Sequence, residues 1–178
     1  VDLPNLTYLD NDAYETTGEA ASLATAIDWL TGDTVIAYGD IMFRRYILDA
    51  MLDIEGDIVL AVDAMWSERT DRSESSGRDL IKCSRAFSPS FIEDDPVLFE
   101  GIVADAADAN DNTGEWIGIA RLTAKGADLV RAELDAMRAD DTLQSADLAT
   151  LFARLATNGT APRVHYVVGH WLDVNDAF

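Results

Sequence analysis

The chain has 178 residues, 48% of them hydrophobic, which is enough for one domain with a proper core and short for two. Aspartate and glutamate outnumber lysine and arginine 33 to 13, and a formal charge of -20 repels nucleic acid and anionic membranes over most of the surface. No apolar run reaches the roughly 20 residues of a bilayer-spanning helix and no basic-then-apolar leader is present, so a soluble, cytoplasmic protein is expected.

Leu6-Thr7-Tyr8-Leu9 running into Asp10-Asn11-Asp12 reads as a strand entering a loop. After Thr17-Gly18-Glu19, Leu23, Ile27 and Leu30 recur at helical spacing and predict an amphipathic helix with Glu19 and Ser22 in its first turn. Thr34-Val35-Ile36-Ala37-Tyr38 is a short β-prone run of the kind found in buried parallel strands, and Gly39-Asp40 ends it. A second helix is expected over 41–54, from Ile41, Arg45, Leu48 and Leu52, with Arg44 and Arg45 on its solvated face. Asp57 to Asp63 reads as the next buried strand, again ending in an aspartate.

The serine-rich stretch 67–79 and the acidic stretch 105–112 lack periodicity and read as loops; between them the pattern is poor. Glu115 to Leu122 looks like a strand. Thr123 can cap a helix over about 126–138, and Ser145 another over 146–157, which Asn158-Gly159 stops. Val164 to Val168 is the last expected strand, before Gly169-His170-Trp171-Leu172-Asp173-Val174-Asn175-Asp176. The β–α–β–α order argues for an α/β sheet, mostly parallel, with helices on its faces. Cys83 is the sole cysteine, so no internal disulfide is available and nothing points to an oxidising compartment. With only His165 and His170 to join it, a zinc site is not expected.

Ligands of open α/β sheets gather at the carboxyl ends of strands, which is where Asp40 and Asp63 fall, although a carboxylate there is often just a cap or turn former. If 171–175 is extended, Asp173 and Asn175 project from one face as hard oxygen ligands of the type magnesium accepts; an Asx-rich turn fits the same letters. One carboxylate from an early strand end and one or two oxygens from a late strand could grip a magnesium ion that bridges nucleotide phosphates. Such an ion also explains how so acidic a chain could hold a polyanion.

Asn11 to Glu19, Ala21-Ser22-Leu23, Tyr38-Gly39-Asp40-Ile41-Met42-Phe43, Val62-Asp63, Glu115-Trp116-Ile117-Gly118 and Gly169 to Asp176 occur in an order that resembles one known family. It is the cytidylyltransferase domain often fused to phosphoenolpyruvate phosphomutase. That domain is similar to choline-phosphate and 2-aminoethylphosphonate cytidylyltransferases, within the sugar-phosphate nucleotidyltransferases. The resemblance spans nearly the whole chain, and the Tyr38–Ile41 and Gly169–Asp176 blocks are its specific parts.

The resemblance implies a Rossmann-like nucleotidyltransferase fold, a mostly parallel mixed sheet with helices on both faces, and magnesium-dependent transfer from CTP or another NTP. The acceptor implied is a small phosphonate or phosphate, such as 2-aminoethylphosphonate or a phosphocholine-like molecule, with release of pyrophosphate. By the same match Asp40 is the early metal aspartate and Asp173 or Asn175 the late ligand. Ser22 falls where relatives hold the nucleoside, and Asp63 and Glu115 line the acceptor side, where an anionic side chain would suit an amine.

The family's first strand, glycine-rich loop, arginine and lysine have no counterpart here. The chain is therefore expected to be one partial domain over 1–178, a segment of a longer polypeptide, with a phosphomutase domain as the implied fusion partner. The alternatives are a sugar-1-phosphate nucleotidyltransferase and a binding domain that keeps the fold without catalysis.

Overall fold

The computed structural model describes residues 5–69, 77–90 and 95–174. Helix α1 (Glu19–Thr25) precedes strands β1 (Thr34–Ala37) and β2 (Ile41–Phe43). Then come α2 (Arg45–Asp53), β3 (Ile58–Asp63), β4 (Leu80–Cys83), β5 (Val97–Ile102) and β6 (Thr113–Leu122). Helices α3 (Ala124–Ala139) and α4 (Leu148–Thr157) and strands β7 (Arg163–Val167) and β8 (Trp171–Asp173) complete the described chain.

Every residue of β3 is buried, because helices cover both of its faces. Ile58, Leu60 and Val62 point into a core shared with α1, α3 and α4, while Val59 and Ala61 pack with Ile47 and Met51 of α2 and with Trp171. This is the period-two alternation of a central strand with an apolar layer on each side. The main sheet runs β1-β6-β3-β7-β5-β4, and β4 also pairs with β6, so the pairings return on themselves.

The α/β class, the mixed sheet and the helices on both faces agree with the sequence. The balance of strand directions does not: among the described strands only β3–β7 is parallel, and β1–β6, β3–β6, β4–β5, β4–β6 and β5–β7 are antiparallel. Apolar β-prone runs carry no record of direction. Here β6, at 10 residues, is long enough to serve three antiparallel partners. Strand β1, expected to be parallel and buried, pairs among the described strands with β6 alone, antiparallel, and of its four residues Ile36 is the buried one.

Other boundaries moved for local reasons. Residues 6–9 form no strand, and the first helix breaks at Ala26 into a 3-10 turn over Ile27–Trp29. The helix expected over 41–54 starts only at Arg45, since Ile41–Phe43 instead pairs with Trp171–Asp173 as a two-stranded sheet. Thr123 does cap α3, its hydroxyl accepting from the Gly126 amide. Helix α4 is capped by Asp147, whose carboxylate accepts the Thr150 amide at 2.6 Å, rather than by Ser145, which lies in a 3-10 turn. Asn158 and Gly159, the latter at φ +89°, end α4 as its turn chemistry requires. Of the stretch 67–79, residues 70–76 lie outside those described, and 105–112 holds a single 3-10 turn. Among the described residues no helix is long and apolar enough to cross a membrane.

Candidate active site

The segment after β1 carries Asp40, and a glycine on another strand decides how it turns. The β3–β6 register shifts between Leu60 and Val62, where β6 bulges around Gly118 at φ +77°. The Tyr38 amide donates to the Gly118 carbonyl at 3.0 Å, and the Tyr38 ring occupies the space a side chain at 118 would need. A Cβ there would stand 2.3 Å from Tyr38 Cδ2. The ring also packs on Trp116 at 5.2 Å, and the hydroxyl donates to Asp79 Oδ2 at 3.0 Å. Burial first, and then the negative charges of Asp79 and Glu19, push the Tyr38 hydroxyl up, so it stays a protonated donor. Tyr38 is thus held against Trp116, and the exposed Gly39 and half-buried Asp40 follow it.

Gly118→Ala is accordingly expected to cost about 1–3 kcal/mol through overpacking and an unfavourable φ. A thermal midpoint, together with altered fluorescence of the neighbouring Trp116, would show it; an unchanged midpoint would mean the ring is not wedged there.

Asp40 leads directly into β2, and β2 pairs with β8 so that Ile41 lies opposite Asp173. The Val174 amide donates to the Asp40 carbonyl at 2.8 Å. The early and late aspartates thus arrive on adjacent strands and line the same cavity, of about 460 Å³, with Tyr38, Glu19, Arg78, Asp79 and Asp147. Glu19 and Asp147 reach it because α1 docks on the residues before α4: Gly18 and Ala20 amides donate to the carbonyls of Gln144 and Ala146. A Cβ at Gly18 would meet the Ala146 carbonyl oxygen at 2.1 Å, so glycine permits this approach.

Asn175 lies outside the described residues. Among the described residues no group of three or more His, Cys, Asp or Glu side chains is arranged to hold a metal ion. Asp40 and Asp173 provide two hard carboxylate donors at one cavity, a set that suits magnesium, which completes its shell with water and substrate phosphates.

The remaining expected residues are placed differently. Ser22 is exposed on α1, its hydroxyl accepting from Asn11 Nδ2 at 3.0 Å, and it is not among the residues lining this cavity. Asp63 and Glu115 face each other across β3 and β6 and are 0% and 1% exposed. Asp63 accepts from the Trp171 indole at 2.7 Å and the Met65 amide at 2.9 Å, with Arg69 Nη1 3.6 Å away. It borders a second hollow, of about 360 Å³, with Met65, Glu68, Arg69, His170 and Trp171. The Arg69 guanidinium lies 4.3 Å over the Trp171 ring. Glu115 lies beneath Arg78, 3.8 Å from Nη1.

Sequence reading missed Glu19, Arg78, Asp79 and Asp147 as cavity residues. Asp147 was legible as an N-cap from Asp147-x-x-Thr150; Arg78 and Asp79, at the end of an aperiodic stretch, carried no local signal.

No protein-family model matches the chain, and no curated protein matches it in sequence. Solved structures match in fold. The inositol-1-phosphate CTP transferase from T. maritima has a TM-score of 0.59 at 17% identity, over 93% of this chain and 60% of that one. CTP:phosphocholine cytidylyltransferase from Streptococcus pneumoniae has a TM-score of 0.61 at 12% identity, over 94% and 64%. A UTP-bound UGPase from Acinetobacter baumannii has a TM-score of 0.60 at 14% identity, over 88% and 51%. The chain therefore has the nucleotidyltransferase fold, and it spans less than two thirds of the length of these structures.

Proposed function

We propose that this chain carries the metal-binding part of a nucleotidyltransferase centre, which passes a cytidylyl group from CTP to a small phosphonate or phosphate acceptor. The observation that supports it most is the meeting of Asp40 and Asp173 at one cavity, on paired strands, within a nucleotidyltransferase fold. An acceptor oxygen attacks the α-phosphorus; the new P–O bond forms as the α–β bridging bond breaks, and pyrophosphate leaves. Asp40 and Asp173, with Asn175 as a further candidate, would hold magnesium, which supplies charge neutralisation on the phosphate oxygens. Tyr38 holds the Asp40 turn in place, and Ser22 remains the candidate nucleoside contact.

Asp63 and Glu115, buried and each beside an arginine, would act on the acceptor side through Arg69 and Arg78 rather than by direct contact. A phosphonate acceptor suits the implied fusion to a phosphomutase. CTP is favoured over other nucleotides because two of the fold matches are named as CTP-using transferases.

The test is pyrophosphate release from CTP with magnesium, followed across 2-aminoethylphosphonate, phosphocholine, inositol-1-phosphate and glucose-1-phosphate. Turnover with the first two supports the proposal. Turnover with glucose-1-phosphate alone would move the chain to the sugar-1-phosphate enzymes, and silence with all four, with upstream sequence restored, would leave a binding domain.

A further inference from the structure

The Asp40–Asp173 cavity is a hostile place for a phosphate. Five carboxylates line it (Glu19, Asp40, Asp79, Asp147 and Asp173), and among the described residues lining it Arg78 is the one cation. An incoming polyanion brings further negative charge to this acidic lining. Some group has to face those oxygens with N–H donors.

Arg78 is built for it. Its Nη1 is anchored inward, donating to the Trp66 carbonyl at 2.8 Å and lying 3.8 Å from Glu115 Oε2. The guanidinium is also held 5.8 Å from the Trp66 ring centroid. Nε and Nη2, the side-by-side pair that grips an oxyanion in two parallel bonds, have no hydrogen-bond partner among the described residues. The side chain is 20% exposed, so those donors remain reachable. The backbone beside it is pinned: the Trp116 amide donates to the Asp79 carbonyl at 2.9 Å, and Tyr38 bonds the Asp79 side chain. A guanidinium held this way loses little side-chain entropy when a ligand arrives.

We infer that Arg78 receives the phosphate oxygens of the substrate in this cavity, and that Glu115 is the positioning residue that sets its guanidinium plane. The inference rests on the nucleotidyl-transfer reading of the cavity and adds the residue that makes an acidic site tolerable to a polyanion. Glu115, at 1% exposure, cannot meet an acceptor itself, and it lies 3.8 Å from Arg78 Nη1.

The experiment is calorimetric titration of the full chain with inorganic pyrophosphate in magnesium, and separately with manganese alone. Arg78→Gln is expected to weaken pyrophosphate binding by about tenfold or more, the scale of a lost bidentate charge-assisted pair. Manganese affinity should be unchanged or a few-fold tighter, since a positive charge near the carboxylates has gone. Arg78→Lys should restore only part of the pyrophosphate affinity, because an ammonium cannot reproduce the fork. Glu115→Gln should shift pyrophosphate in the same direction as Arg78→Gln, leaving manganese as it was. Wild-type pyrophosphate affinity in Arg78→Gln, no pyrophosphate binding by the wild-type chain, or a parallel loss of both ligands would overturn the inference. Pyrophosphate binding that needs Arg78, in a chain that releases none from CTP with any acceptor, would instead sink the nucleotidyl-transfer reading and leave this one standing.

Discussion

If the proposed function holds, Asp40→Asn is expected to lower nucleotidyl transfer by about a thousandfold, because a carboxylate that holds the metal would contribute about 4 kcal/mol of transition-state stabilisation that an amide does not. The substitution keeps size and shape, so the turn after β1 and the backbone bond from the Val174 amide to the Asp40 carbonyl should survive. Pyrophosphate release under saturating CTP and magnesium reads the rate, and manganese titration reads the site without turnover. Both should fail in Asp40→Asn, and both should weaken in Asp173→Asn, since the two side chains line one cavity from paired strands. Circular dichroism and the thermal midpoint separate this from unfolding. A full rate with a normal manganese affinity would remove Asp40 from the mechanism.

The largest expected effect on stability is at Arg121, next to the last residue of β6. Its side chain is buried, and its guanidinium reaches the carbonyls of Met51 at 3.1 Å and Gly56 at 2.8 Å, and that of Ile54. Helix α2 ends at Asp53, so these are the carbonyls that a helix terminus and the turn after it leave without amide partners. Their partial negative charge is also what a buried cation needs. Arg121→Met fills the space but strands three carbonyl acceptors, and the expected loss is about 3–5 kcal/mol. In urea that is a fall in midpoint of roughly 2 M, with the slope unchanged if the native state stays compact. Arg121→Lys should lose an intermediate amount, since one ammonium cannot span three acceptors. A loss in Arg121→Met below about 1 kcal/mol would mean the carbonyls find water or other partners.

That same guanidinium shows why parts of the fold were not legible. From the sequence, Glu115 to Leu122 is an apolar strand interrupted by one arginine, and nothing local says that the arginine closes a helix end some 65–70 positions away. The strand itself, the neighbouring β3 and the helix capped by Thr123 were legible, because alternation, length and cap chemistry are local properties. Strand direction was not, and the parallel sheet expected from apolar runs proved largely antiparallel.

The amino-acid sequence by itself determined the α/β class, the two apolar faces of β3, and a short set of acidic residues at strand ends from which Asp40 and Asp173 were drawn. Its charge of -20 also set the problem that the proposed function poses, the holding of a polyanion by an acidic chain. Tertiary structure alone decided that Ile41–Phe43 leaves the expected helix to pair with Trp171–Asp173, which is what brings the two aspartates to one cavity. It also decided that Asp63 and Glu115 are buried beside arginines, and that Arg78 emerges from an aperiodic stretch to face the cavity. The physical reason is one of range. Propensity and periodicity are settled within a few residues, whereas a charge's partner and a strand's neighbour are chosen by the free energy of the whole packed chain.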